Sequence, residues 1–152
     1  MATRTVPRWG VYVDGTWREG ERYVPVLHKY RREVLAEVAE ADERLVDEAV
    51  RAAQRALEER PLAPYRRFEI LRRAADLLSA RKEEFARTIA REAGKPLKYA
   101  RVEVDRAIQT ISLSGEEAKR VHGEQVPVDA APGSEGRIAF TLRVPVGVVC
   151  AI

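Results

Sequence analysis

The sequence holds no asparagine and a single cysteine, Cys150. A lone thiol excludes an internal disulfide and fits a reducing, cytoplasmic setting. Cys150 lies in the apolar stretch 146–152, with no His or Lys beside it to stabilise a thiolate, so it is expected to be a packed core residue. Histidine is nearly as scarce. His28 and His122 are far apart, and neither has a second ligand at metal-binding spacing, so both read as loop residues and no metal site is expected. No apolar run approaches the roughly 18 residues of a membrane span. The opening MATRTVPRWG lacks the apolar centre of a secretory leader. A dominant charge sign is missing too: 27 Lys and Arg stand against 24 Asp and Glu, for a net +3. The two signs alternate within one segment (Glu83, Glu84, Arg87, Arg91, Glu92), which describes a solvated helix face with i,i+4 pairs. A nucleic-acid stripe would segregate them. Neither nucleic acid nor membrane is expected as a partner.

What remains is ample for one core: 152 residues, 45% hydrophobic and 34% charged. Residues 11–17 read as a hairpin closed by Asp14-Gly15, a favoured two-residue turn. Residues 23–26 read as an edge segment, because Pro25 cannot donate to a central ladder. Residues 34–38 alternate as a strand. The first helix is expected over 43–59, with Asp42 as N-cap, an apolar face from Leu45 to Leu57, and Pro61 and Pro64 as the stop. The second is expected over 65–93, with Phe68, Leu71, Ala75, Leu78, Phe85 and Ile89 as its buried stripe. The third is expected over 97–121, with a stripe of Leu97, Ala100, Val104, Ile108, Ile111 and Gly115.

The corner between the last two helices is Ala93-Gly94-Lys95-Pro96. Gly94 suits the positive φ at a helix C-terminus, and Pro96 suits the first turn of the next helix. Lys95 faces the negative end of the first helix dipole. A tight helix-to-helix corner accounts for all of these residues.

Further on, 123–128 reads as a short strand, 129–136 as a loop of turn formers, and 137–144 as a half-buried strand by its clean alternation. Residues 146–152 have no polar side. Such a strand is normally buried on both faces of a parallel sheet, and nothing else in the sequence reads as its neighbour.

Glu92-Ala93-Gly94-Lys95-Pro96, followed by Ala100-Arg101-Val102-Glu103-Val104, resembles the helical corner of the aldehyde dehydrogenase superfamily. The order of elements is similar from Tyr12 to Ile152, and the pattern looks nearest to the lactaldehyde and non-phosphorylating glyceraldehyde-phosphate branch. The resemblance implies an α/β fold that is the incomplete N-terminal part of a larger one. Its parts would be a small antiparallel β layer, three long helices, a bridging β-hairpin and the first strand of a Rossmann-like sheet. By domain, 1–122 would be the N-terminal part of the cofactor-binding domain, 123–144 a bridging hairpin that joins copies into a homo-oligomer, and 145–152 the truncated first sheet strand.

The same resemblance implies NAD(P)-dependent oxidation of a small aldehyde to its acid. NAD or NADP would serve the complete enzyme, and none would be held by this chain alone. The family's nucleophilic Cys, general-base Glu and oxyanion Asn would lie beyond Ile152. No catalytic residue is therefore assigned, and the chain alone is expected to be inactive. Arg106 matches a position that grips the substrate's anionic group through a bidentate fork; the alternative is a surface Arg paired i,i+3 with Glu103. Ile152 matches a backbone position lining the cofactor cleft; the alternative is plain strand core. An alternative for the whole chain is a stand-alone interaction module that pairs with a full-length aldehyde dehydrogenase subunit.

Overall fold

The computed structural model describes residues 6–152. Asp14 and Gly15 take positive φ, 49° and 76°, and close the hairpin of β2 (Val11–Val13) with β3 (Thr16–Arg18). These are the dihedrals a two-residue primed turn needs. Beside it, β4 (Arg22–Leu27) pairs antiparallel with β5 (Val34–Glu40), and β1 (Arg8–Trp9) joins the other edge of β5, giving the order β1-β5-β4. The β1 pairing is parallel, so the expected antiparallel layer is mixed at that edge. Pro25 sits on the edge strand β4, as its missing N–H requires.

Helix α1 (Glu43–Glu59) starts where expected: the Asp42 carboxylate accepts from the Leu45 N–H at 2.7 Å. Its Leu45 and Ala52 are buried, and it packs on β2. Residues 65–93, expected as one helix, form two. α2 (Pro64–Ala80) and α3 (Lys82–Ala93) part at Arg81, whose φ and ψ are −109° and 18°. The Arg81 N–H donates to the carbonyls of Leu77 and Leu78, each at 3.2 Å, and its own carbonyl receives the Phe85 N–H. Glu83 and Glu84 fill the first turn of α3, where carboxylates meet the positive helix end. The break lets α2 and α3 each settle on α4 (Leu97–Ala118).

The centre of that packing is small. Ala86, Ala100 and Val104 are buried, with Leu78, Ile89, Leu97 and Ile108 around them. Along α2, Gly115 faces Phe68 and Leu71; a Cβ there would stand 3.5 Å from each. α4 stops at Ala118, short of the expected 121, and the Arg67 guanidinium donates to the Ala118 carbonyl at 3.3 Å.

The tail departs most from expectation. Of 123–128 and 137–144, only β6 (Gln125–Val126) and β7 (Ala139–Phe140) pair. Gly123 is required there: a Cβ would lie 1.6 Å from the Thr141 carbonyl oxygen. Ile138, Leu142 and Val144 are exposed, and 146–152 forms no strand. Cys150 is exposed, which corrects its expected burial. The reason is physical. A doubly apolar strand needs neighbours on both edges and layers on both faces, and the described residues provide neither.

Candidate functional site

The corner residues build one side of the candidate site. Gly94 closes α3 in the left-handed region, φ 69° and ψ 19°. A Cβ on it would stand 3.2 Å from the Cβ of Lys29, so the β4–β5 loop lies directly against the corner. The Pro96 carbonyl then accepts from Tyr99 and Ala100, at 2.9 and 3.1 Å, and opens α4. Three charge contacts latch α3 and its corner to α4. Lys82 meets Asp105 at 2.6 Å, Arg101 grips Glu83 with both arms at 2.8 and 2.9 Å, and Lys95 pairs with Glu103. The Arg101 hydrogen bond holds the Glu83 carboxyl below the ordinary glutamate range, and the charges of Arg101 and Arg87 add to it.

With its core side and latches turned to α2 and α3, α4 presents the opposite face outward. Arg106 lies at its middle and is exposed. It makes no ion pair among the described residues, and Glu103, its alternative partner, is occupied by Lys95. Around it stand Tyr99, Val102 and Leu113, exposed at 57%, 53% and 67%. Gln109 and Thr110 share the face and are exposed too. The exposed apolar residues around Arg106 were not singled out in the sequence. The signal was present in the spacing 99, 102, 106, 113, opposite the core stripe.

Ile152 is fully exposed at the end of the tail. No hydrogen bond, ion pair or cavity among the described residues joins it to Arg106. The tail instead passes the α1–α2 corner. There Gly147, Val148 and Val149 face Ala53, Leu57, Leu62 and Arg67 across an open groove of about 560 Å³. That groove is chiefly apolar, with Arg60 and Arg67 among its lining residues. The histidines serve turns: His28 Nδ1 accepts from the Tyr30 and Arg31 N–H groups, each at 3.3 Å, and His122 Nδ1 lies 2.8 Å from the Gly123 carbonyl. No group of three or more His, Cys, Asp or Glu able to hold a metal exists among the described residues. No helix of the described residues is long and apolar enough to cross a membrane.

The sequence profile of the aldehyde dehydrogenase family matches residues 17–152. A 3-sulfolactaldehyde dehydrogenase of Priestia aryabhattai is 50% identical over 147 residues, covering 97% of this chain and 31% of that protein. A lactaldehyde dehydrogenase of Methanococcus vannielii is 35% identical over 143 residues, covering 93% of this chain and 29% of that protein. The crystal structure of aldehyde dehydrogenase 21 from Physcomitrella patens, in complex with the reaction product succinate, superposes with a TM-score of 0.80 at 32% identity. It covers 87% of this chain and 28% of that one. The chain thus spans about a third of the length of these relatives.

Proposed function

The chain belongs to the aldehyde dehydrogenase family, and from that premise we propose that it forms the N-terminal segment of a cytoplasmic, NAD(P)-dependent enzyme that oxidises a small hydroxy- or phospho-aldehyde type of substrate to its acid. The observation that carries this reading is the 50% identity, over 97% of the chain, with a protein named for an aldehyde of that small, charged kind. In such an enzyme NAD or NADP accepts the hydride when bound. Ile152 would offer one backbone contact to it, and no step of hydride transfer is assigned to the residues of this chain.

The chain's own contribution is positional. The helices present the outward face of α4, on which Arg106 binds the substrate's anionic group. A guanidinium suits this work because it stays charged and offers two parallel N–H donors. The hairpin over 123–144 serves as the arm through which subunits assemble. The chain alone is inactive in this reading: without any asparagine it has no oxyanion amide of the family's kind, and Cys150 has no hydrogen-bonded base among the described residues.

A chimera tests the reading. This chain would replace the matching N-terminal third of the Priestia enzyme. Cofactor reduction with a small anionic hydroxy-aldehyde supports it, and a folded, assembled chimera without turnover rejects it. A second reading is favoured by the exposed apolar tail, in which Val146 is 89% exposed: a stand-alone module that adds its strands to a full-length subunit. Co-elution of the separate chain with that Priestia enzyme would support it, and separate elution would remove it.

A further inference from the structure

We propose that the open groove at the α1–α2 corner binds an amphipathic carboxylate, with Arg67 and Arg60 holding the head group and Ala53, Leu57 and Val148 receiving the alkyl chain. Arg106 is not among the residues lining this groove, and the proposal does not rest on the enzyme reading. The volume, about 560 Å³, is that of a small-molecule site. Its walls are alkyl. Ala53 and Leu57 come from α1, Leu62 from the loop before α2, and Val148 and Val149 from the tail. Leu62 and Val149 are exposed at 50% and 71%, so a ligand chain laid against them takes apolar surface out of water.

The two arginines give the groove its sign. No carboxylate lines it, and neither Arg60 nor Arg67 forms an ion pair among the described residues. The positions one turn from Arg67 on α2 are Pro64, Ile70 and Leu71, so no local carboxylate serves it. Arg67 is half-buried and held in place. Its guanidinium donates to the Leu62 carbonyl at 3.1 Å and to the Ala118 carbonyl at 3.3 Å. These neutral partners fix the fork, leave its charge uncompensated, and use only some of its N–H donors. Helix α2 starts between Leu62 and Arg67, with no side-chain cap and no acidic residue in its first turn, so its positive end adds to the same field. A small polar anion would leave the alkyl walls wet, and a neutral hydrocarbon would leave Arg67 without a counterion. An alkyl carboxylate satisfies both, and its planar head matches the guanidinium fork. Once bound, it would bridge α1 and residues 147–149 of the tail.

The chain would be titrated with hexanoate, 1-hexanol and acetate at constant ionic strength, and followed in nitrogen-proton and carbon-proton spectra. Hexanoate should shift the Arg67 Nε–H and the Leu57, Leu62 and Val148 methyl signals saturably. Binding should be several-fold weaker for 1-hexanol, which lacks the charge, and roughly tenfold or more weaker for acetate, which lacks the chain. No saturation with hexanoate, or equal affinity for 1-hexanol, overturns the proposal. Arg106→Gln should leave these shifts unchanged, which separates the groove from the anion reading of Arg106; their loss in that variant overturns the proposal. Ala53→Glu sets a carboxylate among the lining residues at an exposed helix position. It should abolish hexanoate binding at an unchanged melting temperature, and shifts that survive it in full overturn the assignment. Arg60, just past the end of α1, supplies a second variant. Arg60→Met should lower the affinity for hexanoate several-fold and leave that for 1-hexanol; an intact preference for hexanoate removes Arg60 from the head-group site.

Discussion

Lys95 and Glu103 are ion-paired across the corner between α3 and α4. The pair bears on the candidate site, because Glu103 is the i−3 neighbour of Arg106. Removing Lys95 frees a carboxylate to lie over the guanidinium. We expect Lys95→Met to weaken anion binding by Arg106 without unfolding the chain, and Lys95→Met with Glu103→Gln to restore it. Titration of the Arg106 Nε–H signal with methanesulfonate checks both variants.

Gly94→Ala should destabilise the helical core. The replacement carries a Cβ into left-handed backbone, φ 69°, and brings it to 3.2 Å from Lys29. The conformational part alone costs about 1–2 kcal/mol. Urea denaturation should show a lower midpoint at an unchanged slope.

Acid should loosen the α3–α4 latch in a defined direction. The Glu83 carboxyl is held below its ordinary value, first by its hydrogen bond from Arg101. A group with a depressed folded pKa contributes stability that is fully present above its unfolded value, about 4.3. That contribution is lost as pH falls through the lower folded value. Glu84, lowered by Arg81, and Glu116, lowered by Lys119, act in the same sense. Arg101→Ala should therefore lower stability at neutral pH and flatten its decline below about pH 4.3. Thermal melts of both chains across that range measure the difference.

Leu142→Lys and Val146→Lys should leave the melting temperature of the helices unchanged, since both side chains are exposed. They should lower self-association, because contiguous apolar strand formers without partners favour edge-to-edge pairing. Light scattering against concentration decides it. A large fall in melting temperature would show that the tail is part of the core.

Helix α1 was legible because independent signals agree on it: the Asp42 cap, one apolar face, and Pro61 with Pro64 beyond its end. The break at Arg81 was not, since Leu78, Phe85 and Ile89 keep helical period across it. The clue was local, in Glu83 and Glu84 at the start of a new helix. The tail was misread for a different reason. Alternation over 137–144 states a preference for a half-buried strand, but burial is supplied by other layers, which the described residues do not contain. At the candidate site, Arg106 was singled out by its resemblance to a family position, and it lies exposed on α4. Its exposed apolar neighbours Tyr99, Val102 and Leu113 were less legible, because they lie opposite the core stripe of α4, and periodicity marks only the face that is buried.

Gly123 has a consequence for the genetics of this protein. A Cβ there would meet the Thr141 carbonyl oxygen at 1.6 Å. Every missense change of a glycine codon adds a Cβ, so no amino-acid replacement at this position is conservative. A saturation library selected for the paired hairpin should return glycine alone at 123, while its neighbours His122 and Glu124, both exposed, tolerate broad substitution. The least conspicuous residue of the hairpin would then be the one at which variation is most completely silenced.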